Sequence, residues 1–257
     1  MGRHFLRVTM RYLMRQKMYT AINIVGLAIG LACCVMLLLF VRDEWRYDRH
    51  HEHRDRIYRV ASSWRHNLTG VLEHNAKGPY PLAEALRREV PEIPHIVRFF
   101  PRQALVSHGP KRFFETRLFA ADPNIFDVFT IPLLRGDPAT VFDPPLAVVI
   151  SSDMARKYFG QADPIGRKLR ANDKIDFTVT GIFQPIPAHS HFHFDFLVSL
   201  SQIEPFMTTI LRESWTEGAV FTYLLLPPTL SPAEVEQRLP SVVKKHMAPQ
   251  IPFWVQM

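Results

Sequence analysis

His189, His191, His193 and Asp195 alternate along one short stretch, and on an extended chain that spacing puts all four side chains on one side. Three imidazoles and a carboxylate are zinc ligands by type. The spacing argues against convergence, because successive same-side residues of a strand stand ~7 Å apart. Phe192, Phe194 and Phe196 take the other side. The stretch from His191 to Leu200 therefore reads as a strand with its aromatic side buried and its polar side solvated or against a neighbouring lobe. A second histidine-rich run, His50, His51 and His53 with Glu52 and Asp55, mixes charges of both signs and reads as a solvated segment at headgroup level.

The run Gly160-Gln-Ala-Asp-Pro-Ile-Gly166-Arg167-Lys168 has the look of a phosphate loop. Its spacing is one residue too long, Arg167 follows the second glycine, and Lys168 is not followed by the Ser or Thr that would hold magnesium. A turn leaving a helix explains it better. A Gly-x-Ser-x-Gly elbow and paired-cysteine metal spacings are also missing. No catalytic, cofactor-binding or metal-ligating residue is assigned, and an enzyme is unsupported.

The elements that would position any site begin with an anchor. From Met18 to Val41 the chain carries no charged side chain, and 24 residues at ~1.5 Å each reach about 36 Å, enough to cross a hydrocarbon core of ~30 Å. The run is longer than a signal-peptide core and leaves through Arg42-Asp43-Glu44, which predicts an uncleaved span over 18–41. Arg3, Arg7, Arg11, Arg15 and Lys17 precede it without an acidic residue, so most of the net charge of +7 belongs to this short segment. That location removes nucleic acid as a partner. It also keeps the N-terminus in the cytoplasm, because positive residues beside a span are retained there.

The arginines recur every four residues, with Leu6, Met10, Leu13 and Met14 on another side, which predicts an amphipathic interfacial helix over 1–17. Inside the span, Gly26, Gly30 and Cys34 share a face that lets another membrane helix approach. Cys33 and Cys34 are the only cysteines and are adjacent, so they cannot readily bridge each other.

Beyond Arg42 the periodicity keeps switching. Strands are expected at Ile57–Val60, Ile96–Phe100, Leu146–Ile150, Phe177–Phe183 and Val220–Leu226. A hairpin is expected around Gly109-Pro110. Helices are expected from Pro81 to Val90, after the Ser151 cap, and from the capping box at Ser231 and Glu234 to about Met247. The class is α+β: an N-terminal transmembrane helix followed by a two-lobed α+β domain over 42–257 on the far side of the membrane.

Several stretches carry a family resemblance: Arg15 to Ala32, Val41 to Asp48, Asp55 to Val60, Phe126 to Pro138, Val149 to Ser151, Ala155 to Gly160, Asp163 to Arg167, Phe177 to Phe183 and Ser190 to Phe196. Together they resemble the MacB/FtsX-like permeases of ABC transporters over about residues 5–227. The resemblance implies a membrane-proximal lobe at about 55–102 and 189–250, with an inserted outer lobe at about 103–188. It places the protein in the bacterial inner membrane with its core domain periplasmic or extracellular. It also implies an ATPase subunit that hydrolyses ATP on the cytoplasmic side and a second permease copy or homologue beside Gly26 and Gly30. A periplasmic adaptor would mark an efflux assembly. Family members carry three more membrane helices after the core domain, so the chain is expected to be a truncated permease. The alternative is a single-span membrane-anchored sensor or ligand-binding protein.

Overall fold

The computed structural model describes residues 10–11, 14–65 and 71–247. Arg3 and Arg7 of the expected interfacial helix lie outside the described residues, whereas Arg11, Arg15 and Lys17 are helical and exposed. The chain divides into two compact units between Asp48 and Arg49.

In the first unit, helix α1 (Lys17–Glu44) has no buried side chain. It is long and apolar enough to cross a membrane. No proline interrupts it, and its leucines and alanines favour the helical backbone.

The second unit holds eleven strands: β1 (Ile57–Val60), β2 (Ser62–Arg65), β3 (Leu72–Asn75), β4 (His95–His108), β5 (Lys111–Ala121), β6 (Leu133–Arg135), β7 (Ala147–Ser151), β8 (Lys168–Ala171), β9 (Ile175–Phe183), β10 (Phe196–Ser199) and β11 (Phe221–Leu225). The helices between them are α2 (Leu82–Glu89), α3 (Ile125–Val128), α4 (Ser152–Phe159), α5 (Leu200–Ile203), α6 (Thr209–Glu213) and α7 (Pro232–Met247). Mixed helices and sheet after an apolar helix confirm the α+β class.

Nine strands form one sheet in the order β1-β11-β4-β5-β10-β7-β9-β6, with β8 paired to both β4 and β9. Those last two pairings close a ring of six strands, β4-β5-β10-β7-β9-β8. Phe100, Leu118, Val148, Leu169, Phe177 and Val198 belong to the core that this ring encloses. Helix α4 adds Tyr158 and Phe159 to that core. The opposite face of the sheet buries an aromatic core around Phe99, Phe129, Phe183 and Phe192. A third core lies under α2 and α7, from Leu86 to Val242.

The strand pairings run across the expected lobe boundaries. Strand β4 runs unbroken from 95 to 108 across the boundary at 103. Strands β5, β7 and β9, from the stretch assigned to the outer lobe, share the sheet with β1 and β11 from the flanks. Strand β10, from the flank, is inserted between β5 and β7. Backbone hydrogen bonding, which sequence spacing does not encode at this range, outweighs the linear segmentation.

The hairpin is seated as expected, with Gly109 at φ +56 in its turn. Three residues of β5 span what two of β4 span, because Arg102 pairs with Leu118 and Ala104 with Glu115. This bulge lets Glu115 and Leu118, of unlike parity, both turn inward. The cap of α4 is also as expected: Ser151 Oγ accepts the Met154 N–H at 3.3 Å. At α7, Ser231 and Glu234 bond reciprocally, with the Ser231 N–H donating at 2.8 Å and the Glu234 N–H at 3.3 Å.

Candidate functional site

His189, His191 and Asp195, which alternate in sequence, are dispersed by the fold. Residues 191–195 are not a strand; the ladder begins only at Phe196. The alternation survives without it, because Phe192 and Phe194 are buried in the aromatic core while His191 is exposed. His191 Nε2 lies 2.7 Å from the Tyr223 hydroxyl. The His189 ring stands edge-on to His50 at 5.9 Å. Asp195 accepts from Ser151 Oγ at 3.0 Å and tethers the start of α4 instead. These side chains serve separate partners and do not meet at one point.

The second histidine run departs from its solvated reading. His51 is 4% exposed, packed against Phe129 and Phe192 with ring centroids at 5.0 and 5.7 Å. Its Nδ1 accepts the Thr130 N–H at 3.2 Å, and the Glu52 N–H donates to Thr130 Oγ1 at 2.8 Å. Within this run His51 alone is buried, because a backbone amide from a distant loop supplies its partner. The signal that sequence offered was absent: nothing local distinguishes His51 from His53, which sits beside Arg56.

The loop resembling a phosphate site is a turn between α4 and β8. Gly166, at φ +78, donates its N–H to Val179 O at 2.8 Å. Asp163 accepts from the Ile165 N–H at 3.0 Å and pairs with Arg135 at 2.7 Å. The Arg135 guanidinium holds the Asp163 carboxyl below the usual carboxylate range.

Gly26, Gly30 and Cys34, expected to meet another membrane helix, stand exposed on α1. Apart from the adjoining backbone of the helix itself, no atom of the described residues lies within 4 Å of where a Cβ would be on Gly26 or Gly30, and Cys34 is exposed and free. A small-residue face on a helix of this length suits a second helix at close approach.

Two hollows adjoin on the second unit and share Arg102 and Gln103. The first, of about 370 Å³, opens from the ring of strands, with Phe100, Leu118, Phe177 and Val198 below and Met207 and Leu211 above. It is the mouth of the ring, partly covered by the α5–α6 segment. The second, of about 490 Å³, is polar and holds Lys77, Arg102, Gln103 and Thr116. Barrel mouths of this size are common ligand positions. A further groove runs between residues 60–63 and α7, where Val60, Glu236 and Leu239 line two contiguous hollows.

Between the ring core and the α2–α7 core lies a buried polar cluster. Arg98 binds Asp122 through Nη2 at 2.7 Å and Nε at 3.0 Å, its N–H adds a contact at 2.9 Å, and Arg87 joins at 3.2 Å. The Arg98 guanidinium covers the Tyr80 ring at 4.4 Å. Burial pushes the Tyr80 phenol up to about 12, with Arg98 opposing the shift. Its hydroxyl has no hydrogen-bond partner among the described residues.

Comparison with known proteins gives a consistent outcome. The family model for MacB-like periplasmic core domains matches residues 20–242. A crystal structure described as a domain of a permease protein from Porphyromonas gingivalis superposes with a TM-score of 0.66 at 21% identity, covering 77% of this chain and 84% of that one. The periplasmic region of MacB from Actinobacillus actinomycetemcomitans superposes with a TM-score of 0.50 at 16% identity, covering 66% and 74%. At these identities the likeness is one of fold. No curated protein matches the chain at a significant level.

Proposed function

The chain belongs to the family of MacB-like periplasmic core domains, and from that premise we propose that it serves as the membrane-anchored permease subunit of an ABC transporter. One observation carries the reading: the family match begins at residue 20, inside α1, and runs through the sheet to residue 242, so the anchor and the core domain fall within a single family pattern. Family members are permease components and not enzymes, and ATP turnover is assigned to a partner subunit in the cytoplasm.

In this reading α1 spans the bacterial inner membrane with Arg11, Arg15 and Lys17 on the cytoplasmic side, as the positive flank requires. Arg3 and Arg7 extend the same flank in sequence. The core domain stands outside the membrane and moves substrate there when the partner hydrolyses ATP. Gly26, Gly30 and Cys34 face a second permease copy or homologue. If so, Cys34 crosslinks between copies under mild oxidation in a Cys33→Ala background, and Cys33 does not in a Cys34→Ala background.

The test of the function is purification of the tagged full chain from its host in mild detergent. Co-elution of an ABC ATPase, with vanadate-sensitive ATP turnover, is the expected outcome. A chain that elutes without any ATPase refutes the proposal and favours a single-span ligand-binding protein.

A further inference from the structure

We propose that the joined hollows over β4 and β5 bind a single-chain anionic amphiphile, with its apolar chain in the mouth of the strand ring and its anionic head between Arg102 and Lys77. This goes beyond the permease assignment and does not depend on an ATPase partner.

Charge is the first argument. Many cations on this unit are matched, among them Arg98 with Asp122, Arg135 with Asp163, Lys157 with Glu115, and Arg170 with Asp176. Lys77 and Arg102 form no ion pair among the described residues, and neither hollow is lined by an acidic side chain. Both cations are instead set against rings. Arg102 stands 4.8 Å from the centroid of Phe100, which lines the apolar hollow, and Lys77 stands 5.5 Å from that of Phe221. Two cations held by aromatic faces, with no local counter-charge, leave their charge-assisted hydrogen bonds available to an anion.

Shape is the second argument. Arg102 lines both hollows, so it marks the point where an apolar chain would have to give way to a charged head. The floor of the groove is aliphatic and aromatic, and its polar groups, Gln103, Asn172 and Thr208, are few. An extended peptide would leave most of its backbone N–H and C=O groups without partners there. A hydrocarbon chain has none to satisfy and is stabilised by the apolar area it buries. Phe206, 62% exposed at the rim, extends the apolar surface over such a chain.

The experiment uses the full chain in nanodiscs of neutral phosphatidylcholine. The probe is a dodecanoic acid carrying a diazirine near its methyl end, with labelled peptides mapped by mass spectrometry after irradiation. Labelling is expected on peptides containing Leu118 or Met207. It should fall about fivefold or more with the matching dodecanol probe and in the Lys77→Gln/Arg102→Gln double variant. Arg102→Lys should retain most of it, and Met207→Trp, which fills the groove, should remove it while circular dichroism stays unchanged. Equal labelling by acid and alcohol overturns the proposal, as does label confined to α1 or insensitive to Met207→Trp. Competition by two-chain phosphatidylglycerol placed in the nanodisc reassigns the site to membrane lipid and likewise overturns it.

Discussion

Arg98 and Asp122 illustrate what a buried charge does in this fold. Their side chains are only 11% and 6% exposed, and the pair joins the two cores on one face of the sheet. Removing Arg98 leaves buried Asp122 with only the partly exposed Arg87 as counter-charge, so Arg98→Met is expected to lower unfolding free energy by about 3 kcal/mol in urea titrations. The double variant Arg98→Met/Asp122→Leu should recover much of that loss, because neither charge is then left alone. Glu89 is the surface counterpart. It accepts from His246 Nε2 at 2.5 Å and Lys245 Nζ at 3.1 Å, and these two donors, His246 first, lower its pKa below the ordinary 4.5. A carboxylate whose pKa is lowered by folding stabilises fully above the unfolded value and ceases to do so as pH falls through the folded one. The difference in melting temperature between the wild type and Glu89→Gln should therefore hold at neutral pH and shrink as pH is taken below 4.5.

At the level of elements, the close passage of β9 past its neighbours sets a sharp requirement. Along the β7–β9 pairing, Val148 faces Val179 and Val149 faces Gly181, so β9 carries one extra residue there. A Cβ on Gly181 would lie 2.7 Å from Val141 Cγ2 and 3.0 Å from Val149 Cγ1. Gly181→Ala is expected to cost about 1–3 kcal/mol, read from the shift of the urea midpoint, because both valines belong to the packed aromatic core and have little room to yield. Such local constraints explain what was legible in the sequence. The hairpin at Gly109, the Ser151 cap and the box at Ser231 depend on contacts within a few residues, and all three formed where expected. The closing strand β8 and the burial of His51 depend on partners more than sixty residues away, Val106 and Ser107 in one case and Thr130 in the other. The groove residues were not flagged for the same reason: Arg102, Phe177 and Met207 come together only once the ring of strands has closed. The alternation of Phe192 and Phe194 was read correctly as burial and incorrectly as a strand, since side-chain parity persists in an extended segment without a ladder.

For the whole molecule, the proposed orientation has a direct consequence. With Cys33 and Cys34 replaced by alanine, a cysteine introduced at exposed Glu73 should react with a membrane-impermeant maleimide in intact spheroplasts. One introduced at Arg11 should react only after the membrane is opened. The reverse pattern refutes the topology drawn from the positive flank. The path of the chain through its second unit adds a mechanical point. The first strand of the unit, β1, and the last, β11, are antiparallel neighbours: Ile57 pairs with Leu225, and the Leu226 N–H donates to Arg56 O at 3.0 Å. Traction that separates the two strands at that end meets its hydrogen bonds one rung at a time, like a zipper opened from its pull. Thrust that drives both strands the same way meets the whole sheet at once. The unit is thus stiff to being pushed and compliant to being peeled, and a rod that moves both strands in step would swing it as a rigid lever.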